Sequence, residues 1–185
     1  CLWAVSWFIL KKMIKNIKFI IIILFSLFIF FIFFKGLEKS NNYLPEENFN
    51  KIETNLSFRK LYNQEEVLLE ELINNNNFSI INIWSSWCLP CRDEHAYLLK
   101  LKNTNKINII GINYKDKKSN AVKFLNDLKN PYSAVLIDND GTKSIELGAI
   151  GVPETYLVNK NKVLVKKYIG PLNNLKFQEI LEIIK

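Results

Sequence analysis

The sequence predicts an α/β fold, a mixed central sheet flanked by helices, carried behind an N-terminal transmembrane helix. Three observations support this expectation. Short β-branched runs alternate with amphipathic stretches beyond residue 53, an almost unbroken apolar run covers Phe19–Phe34, and two cysteines three apart stand where a strand gives way to a helix. A chain of 185 residues has room for one well-cored domain and an appendage, not for two full domains.

The apolar run FIIIILFSLFIFFIFF contains sixteen residues, of which only Ser26 is polar. At 1.5 Å per residue it would span about 24 Å, against a hydrocarbon core of about 30 Å. Flanking Lys18 and Lys35 could snorkel to close the gap. Four lysines (11, 12, 15 and 18) precede the run, which predicts an amino end left in the cytoplasm and a domain sent outward. The KGLEKSNN that follows lacks a small-x-small cleavage pattern, so retention as an anchor over residues 19–35 is expected. Residues 1–18 read as a basic and apolar extension, with Met13 resembling an ordinary translation start and Cys1 incidental. Residues 36–52 read as a polar linker and residues 53–185 as the folded domain.

The formal charge of +7 is unevenly placed. Residues 1–39 hold six Lys and one Glu, whereas residues 40–185 hold nineteen Lys plus Arg against seventeen Asp plus Glu. The excess flanks the apolar run, so no nucleic-acid partner is expected.

Within the domain, LSF at 56–58 predicts a short strand and Gln64–Ile73 an amphipathic helix, broken by the Asn74–Asn77 turn. FSIINIW (78–84) and Ile107–Ile112 suit buried strands, each followed by a helix: Cys88 to about Lys102, and Ser119–Lys129. Ala134–Ile137 predicts a strand ended by a turn at Asp138–Gly141. Thr155–Val158 and Val163–Tyr168 predict a hairpin, and Leu172–Ile184 a closing helix.

WSSWCLPC (84–91) is the motif that carries chemistry. A cysteine at the start of a helix meets unpaired N–H groups and the positive end of the dipole, which favour the thiolate. Cys91, one turn in, could resolve a mixed disulfide formed at Cys88. Pro90 falls in the first turn, where its missing N–H costs nothing. Trp87 either offers an apolar surface to a substrate chain or belongs to the core. A structural disulfide so short would staple almost nothing. Zinc would find only three ligands in Cys88, Cys91 and the single histidine, His95, and haem attachment would want His where Arg92 stands. A peroxidase could use one of these cysteines, but the pair favours disulfide exchange. No metal and no cofactor beyond the Cys88–Cys91 disulfide is expected.

WCLPC at a strand–helix junction, with a later Val152-Pro153 before a hairpin, resembles the thioredoxin fold. The runs WCLPCRDEHAYL (87–98), GINYKD (111–116), NPYSAVLIDNDG (130–141) and GAIGVPETYLV (148–158) are similar to those of cytochrome c biogenesis thiol:disulfide interchange proteins of the CcmG/DsbE type. That resemblance covers about residues 44–185. It implies a cis Pro153 facing the cysteines, attack by Cys88 and resolution by Cys91. It also implies acidic active-site positions at Glu94 and Glu154, and substrate contact at Trp87 and Val152. Asn82 lies where thioredoxin carries a buried acid, so proton handling would fall to Glu154. Leu89-Pro90 departs from the Pro-Thr pair of many members.

The function implied is a periplasm-facing, single-pass inner-membrane reductant. It would take electrons from a membrane thiol reductase of the DsbD/CcdA kind and reduce the CxxCH thiols of apocytochrome c. A reductant for copper-centre assembly, or a module that binds haem, copper or an apoprotein without turnover, are the alternatives.

Overall fold

The computed structural model describes residues 20–35, 52–73 and 77–185. The chain divides into two compact units, residues 1–47 and 48–185. In the first, the apolar run forms helix α1, residues 20–35. The expected transmembrane helix over 19–35 is overturned: among the described residues, no helix is long and apolar enough to cross a membrane. At 1.5 Å per residue α1 reaches only about 24 Å. The single-pass inner-membrane placement, the membrane as a partner and the periplasm-facing orientation rested on that span and fall with it. The N-terminal extension of residues 1–18, Met13 and Cys1 included, lies outside the described residues. So do nearly all of the linker and most of the Asn74–Asn77 turn.

The second unit is built on one seven-stranded sheet, ordered β2-β1-β5-β4-β3-β6-β7. Its strands are β1 (Ser57–Lys60), β2 (Glu66–Leu68), β3 (Phe78–Trp84), β4 (Asn108–Tyr114), β5 (Ala134–Asp138), β6 (Glu154–Asn159) and β7 (Leu164–Ile169). β3, β4 and β5 run parallel, and both flanks are antiparallel. The helices are α2 (Leu69–Leu72), α3 (Leu89–Lys102), α4 (Lys118–Leu128), α5 (Thr142–Glu146) and α6 (Asn174–Ile183). The mixed sheet flanked by helices is therefore borne out.

Strand alternation splits the core in two. Ile80 and Trp84 of β3 join Leu98 and Leu101 of α3, Phe124 and Leu125 of α4 and Ile180 of α6 on one face. Ile81 and Ile83 of β3 join Leu69 of α2, Leu136, Leu147 and Tyr156 on the other. β3 is buried on both sides, which explains its nearly continuous apolar sequence.

Two local expectations differ from what is found. Gln64–Ile73 is not one helix: Glu66–Leu68 pairs antiparallel with β1, Val67 opposite Phe58, and only one helical turn follows. Gln64, at φ 60°, and the Lys60 N–H bonded to the Glu65 carbonyl close the hairpin. The edge of β1 thus draws in a segment whose own spacing favours helix. After the Asp138–Gly141 turn, a short α5 forms where no helix is expected. Asp138 Oδ2 accepts from the Ser144 amide at 2.8 Å and from its hydroxyl at 2.6 Å.

Gly111 of β4 lies opposite Asn82 and Val135 in the ladder. A Cβ there would come within 2.8 Å of the Tyr132 ring. Gly111→Ala is expected to destabilise the fold by about 1–3 kcal/mol through overpacking. Urea denaturation of the variant measures this, and an unchanged midpoint would contradict it.

Candidate active site

β3 ends at Trp84, and a three-residue turn delivers Cys88 to the head of α3. Cys88 is the N-cap, in extended conformation, and its Sγ accepts the Cys91 N–H at 3.1 Å. The two sulfurs are joined, with Cα atoms 5.3 Å apart. Cys88 is 5% and Cys91 2% exposed. Once the bond is reduced, the same amide and the helix dipole stand ready to hold a Cys88 thiolate.

The turn itself is tied to the one after β4. Asp116 accepts from the Ser86 amide at 2.7 Å, the Ser86 hydroxyl at 2.9 Å, the Asn113 side chain at 3.0 Å and the Lys117 amide at 2.8 Å. Ser85 donates to the Tyr114 carbonyl, and Trp87 Nε1 donates to the Lys115 carbonyl at 2.9 Å. Trp87 is consequently a surface residue, 60% exposed, while Trp84 is the core tryptophan, packed on Phe124 and Tyr132. Nothing in the local pattern of the GINYKD run marks Asp116. Its use appears only once two turns thirty residues apart are brought together.

The Val152-Pro153 peptide is cis, and Pro153 is buried. Pairing of Ile83 with Glu154 brings it to the carboxyl end of β3, the end that leads to Cys88. Val152 packs against both core clusters, one of which contains the disulfide.

The two acidic positions have different surroundings. Glu94 lies one helical turn beyond Cys91, on the disulfide face, with no solvent exposure. Its Oε1 accepts from Asn82 Nδ2 and its Oε2 from the Leu172 amide, both at 2.8 Å. Burial pushes its pKa up to about 7; the two hydrogen bonds and the Lys176 charge pull the other way but do not prevail. Asn82 also donates to Thr155 Oγ1 at 3.0 Å and accepts from the Tyr132 hydroxyl at 2.8 Å. The position at which thioredoxin carries a buried acid therefore holds, here, the Asn82 amide that bonds Glu94.

Glu154 points to the opposite face of the sheet, with Tyr156. Its Oε1 accepts from the Ile150 and Gly151 amides at 2.8 and 3.1 Å. Its Oε2 accepts from Tyr156 at 3.0 Å and pairs with Lys167 Nζ at 3.0 Å. The structure thus groups Cys88, Cys91, Glu94, Pro153 and Val152 at one end of the sheet and sets the Glu154 carboxylate behind it.

His95 donates Nε2–H to the Lys129 carbonyl at 2.7 Å in its neutral form, and burial lowers its pKa. It packs edge-on against Phe124. Among the described residues no group of three or more His, Cys, Asp or Glu is placed to hold a metal ion.

A CxxC disulfide at a helix start, beside a cis-proline strand, defines the thioredoxin-like class of fold. The Redoxin family matches residues 44–184, and the chain belongs to that family. It is 45% identical over 101 residues to the thiol:disulfide interchange protein CycY of Rhizobium leguminosarum, covering 55% of this chain and 54% of that one. It is 39% identical over 122 residues to the thiol:disulfide interchange protein DsbE of Vibrio cholerae, covering 66% of this chain and 62% of the relative. These matches span little more than half of each curated relative. A solved structure of a thiol:disulfide interchange protein DsbE from Chlorobium tepidum superposes with a TM-score of 0.63, at 19% identity, over 75% of this chain and 99% of that one. The likeness to the CcmG/DsbE type is borne out.

Below its ordinary value of 4.5, Glu94 is protonated whether the chain is folded or not. Between 4.5 and about 7 the unfolded chain releases a proton that the folded chain keeps, so stability falls as pH rises through this window. The full cost, about 3 kcal/mol, is in place above it. Urea midpoints of the oxidised protein are expected to decline from pH 5 to pH 8, and Glu94→Gln to flatten the decline. Parallel profiles for the two proteins would refute this origin.

Proposed function

We propose that this chain is a reducing thiol–disulfide oxidoreductase that keeps the haem-binding CxxCH cysteines of apocytochrome c as thiols, and that a membrane thiol reductase recharges it. The observation that carries the reading is Cys88 Sγ on the Cys91 amide at the head of α3, with a buried carboxyl one turn behind. The likeness to thiol:disulfide interchange proteins supports it.

In the reduced protein, the Cys88 thiolate attacks one sulfur of the substrate disulfide. A Cys88–substrate disulfide forms, and the displaced substrate sulfur takes a proton from solvent. Cys91 then loses its proton to Glu94 and attacks Cys88 Sγ, breaking the mixed disulfide. The second substrate sulfur leaves with the proton that Glu94 received. Two electrons have passed to the substrate, which ends as two thiols, and the protein ends as the Cys88–Cys91 disulfide. The membrane reductase returns two electrons by the reverse exchange. With its pKa near 7, Glu94 can take and release a proton at neutral pH. Glu154, bound to loop amides, serves the site by holding the backbone ahead of Pro153. Exposed Trp87, and Val152 packed against the cluster that holds the disulfide, provide the apolar contact for the substrate chain.

The redox potential of the full chain is expected nearer −270 mV than −120 mV, about the values of a reducing and a strongly oxidising protein dithiol. Cys91→Ser should accumulate mixed disulfides with oxidised CxxCH peptides at Cys88, and Cys88→Ser should accumulate none. An oxidising couple would make the chain a disulfide donor. Absence of any reversible couple, with no trapped peptide, would leave a binding module.

A further inference from the structure

The loop that runs from α5 into the cis peptide is secured from behind by a side chain that plays no part in the chemistry above. Lys167 sits on the edge strand β7, directly across the ladder from Tyr156 of β6. Its side chain is only 10% exposed, far less than an edge-strand lysine ordinarily shows. Nζ donates to the Gly148 carbonyl at 2.8 Å, pairs with Glu154 Oε2 at 3.0 Å and lies 5.2 Å from the centre of the Tyr156 ring. Glu154 in turn holds the Ile150 and Gly151 amides. Lys167 and Glu154 together therefore grip the loop at three points between Gly148 and Gly151. Gly148 has φ 85°, a turn geometry that most side chains resist.

What the grip presents outward is apolar. Ile150 is 73% exposed, and Val152 follows it against the cluster that holds the disulfide. Trp87 and Leu89 stand exposed on either side of Cys88. With the sulfurs nearly covered, a polypeptide must fit between these residues before exchange can begin, whereas a small disulfide needs no such fit.

We propose that Lys167 is a specificity-determining positioning residue: by fixing Gly148 and Glu154 it sets the loop wall on which a polypeptide disulfide docks, without acting on the sulfurs. This rests on the reductant reading above. Removing the grip should weaken polypeptide docking and leave the exchange step intact, since neither Cys88, Cys91, Glu94 nor its hydrogen-bond partners touch Lys167.

The test follows oxidation of the pre-reduced full chain by an oxidised CxxCH peptide across a concentration range, and by hydroxyethyl disulfide. Lys167→Met is expected to raise the half-saturating peptide concentration about tenfold with the limiting rate unchanged, the signature of lost binding without lost chemistry. The hydroxyethyl disulfide rate and the redox potential should stay at wild-type values, and Lys167→Arg should restore peptide binding. Since Lys167→Met leaves the buried Glu154 carboxylate with neither cation nor donor at that position, Lys167→Gln, neutral and shorter but still an N–H donor, is measured alongside; should the Met variant not fold, the Gln variant carries the same expectation. An unchanged half-saturation, or a parallel fall in the small-disulfide rate, overturns the inference while the reductant reading stands. A wild-type protein oxidised by neither disulfide overturns the reading and the inference with it.

Discussion

Four parts of the domain meet on one uncharged side chain. The Asn82 amide, wholly buried in β3, donates to Glu94 of α3 and Thr155 of β6 and accepts from Tyr132 ahead of β5. Each partner is itself buried, so leaving any of these polar atoms unsatisfied would cost about 1–3 kcal/mol. The network therefore specifies one arrangement of helix on sheet. It fixes the rotation of α3, and that rotation decides which side of the helix Cys91 and Glu94 present. The disulfide's position at the head of α3 follows from how the helix is seated, and the second turn of hydrogen bonds through Asp116 only completes it.

The same physics gives two buried carboxylates different surroundings. Glu94 has two neutral donors and a distant cation, so desolvation dominates and the group stays close to its midpoint at neutral pH. Glu154 has two amides, a phenol and a contacting ammonium, which is a structural ion pair in all but its location. Burial is nearly equal for the two. What differs is whether a full positive charge lies within contact distance, as Lys167 does for Glu154.

Much of this was legible in the sequence wherever local pattern and burial agree. The runs 78–84 and 107–112 are apolar on both faces because both faces are covered, and the CxxC pair announces its own chemistry. The legibility stops where partners are distant. Gln64–Ile73 has helical spacing, yet the free edge of β1 recruits its first half into a hairpin. The apolar run near the amino terminus reads as a membrane span by composition, but as a helix of residues 20–35 it is too short to be one. Glu94 and Glu154 look alike in sequence, and strand parity alone puts Glu154 behind the sheet. Trp84 and Trp87 likewise trade places between core and surface according to where β3 ends.

The near burial of both sulfurs beneath an exposed apolar rim has a thermodynamic side. A pair that a polypeptide reaches only by fitting that rim does not exchange equally with every protein thiol it passes. Its oxidation state can then be set by the few macromolecules shaped to open access to it, and persist between such meetings. The Cys88–Cys91 pair is thus a vessel for two electrons, full as the dithiol and empty as the disulfide, whose filling reflects its encounters and not the average of its surroundings.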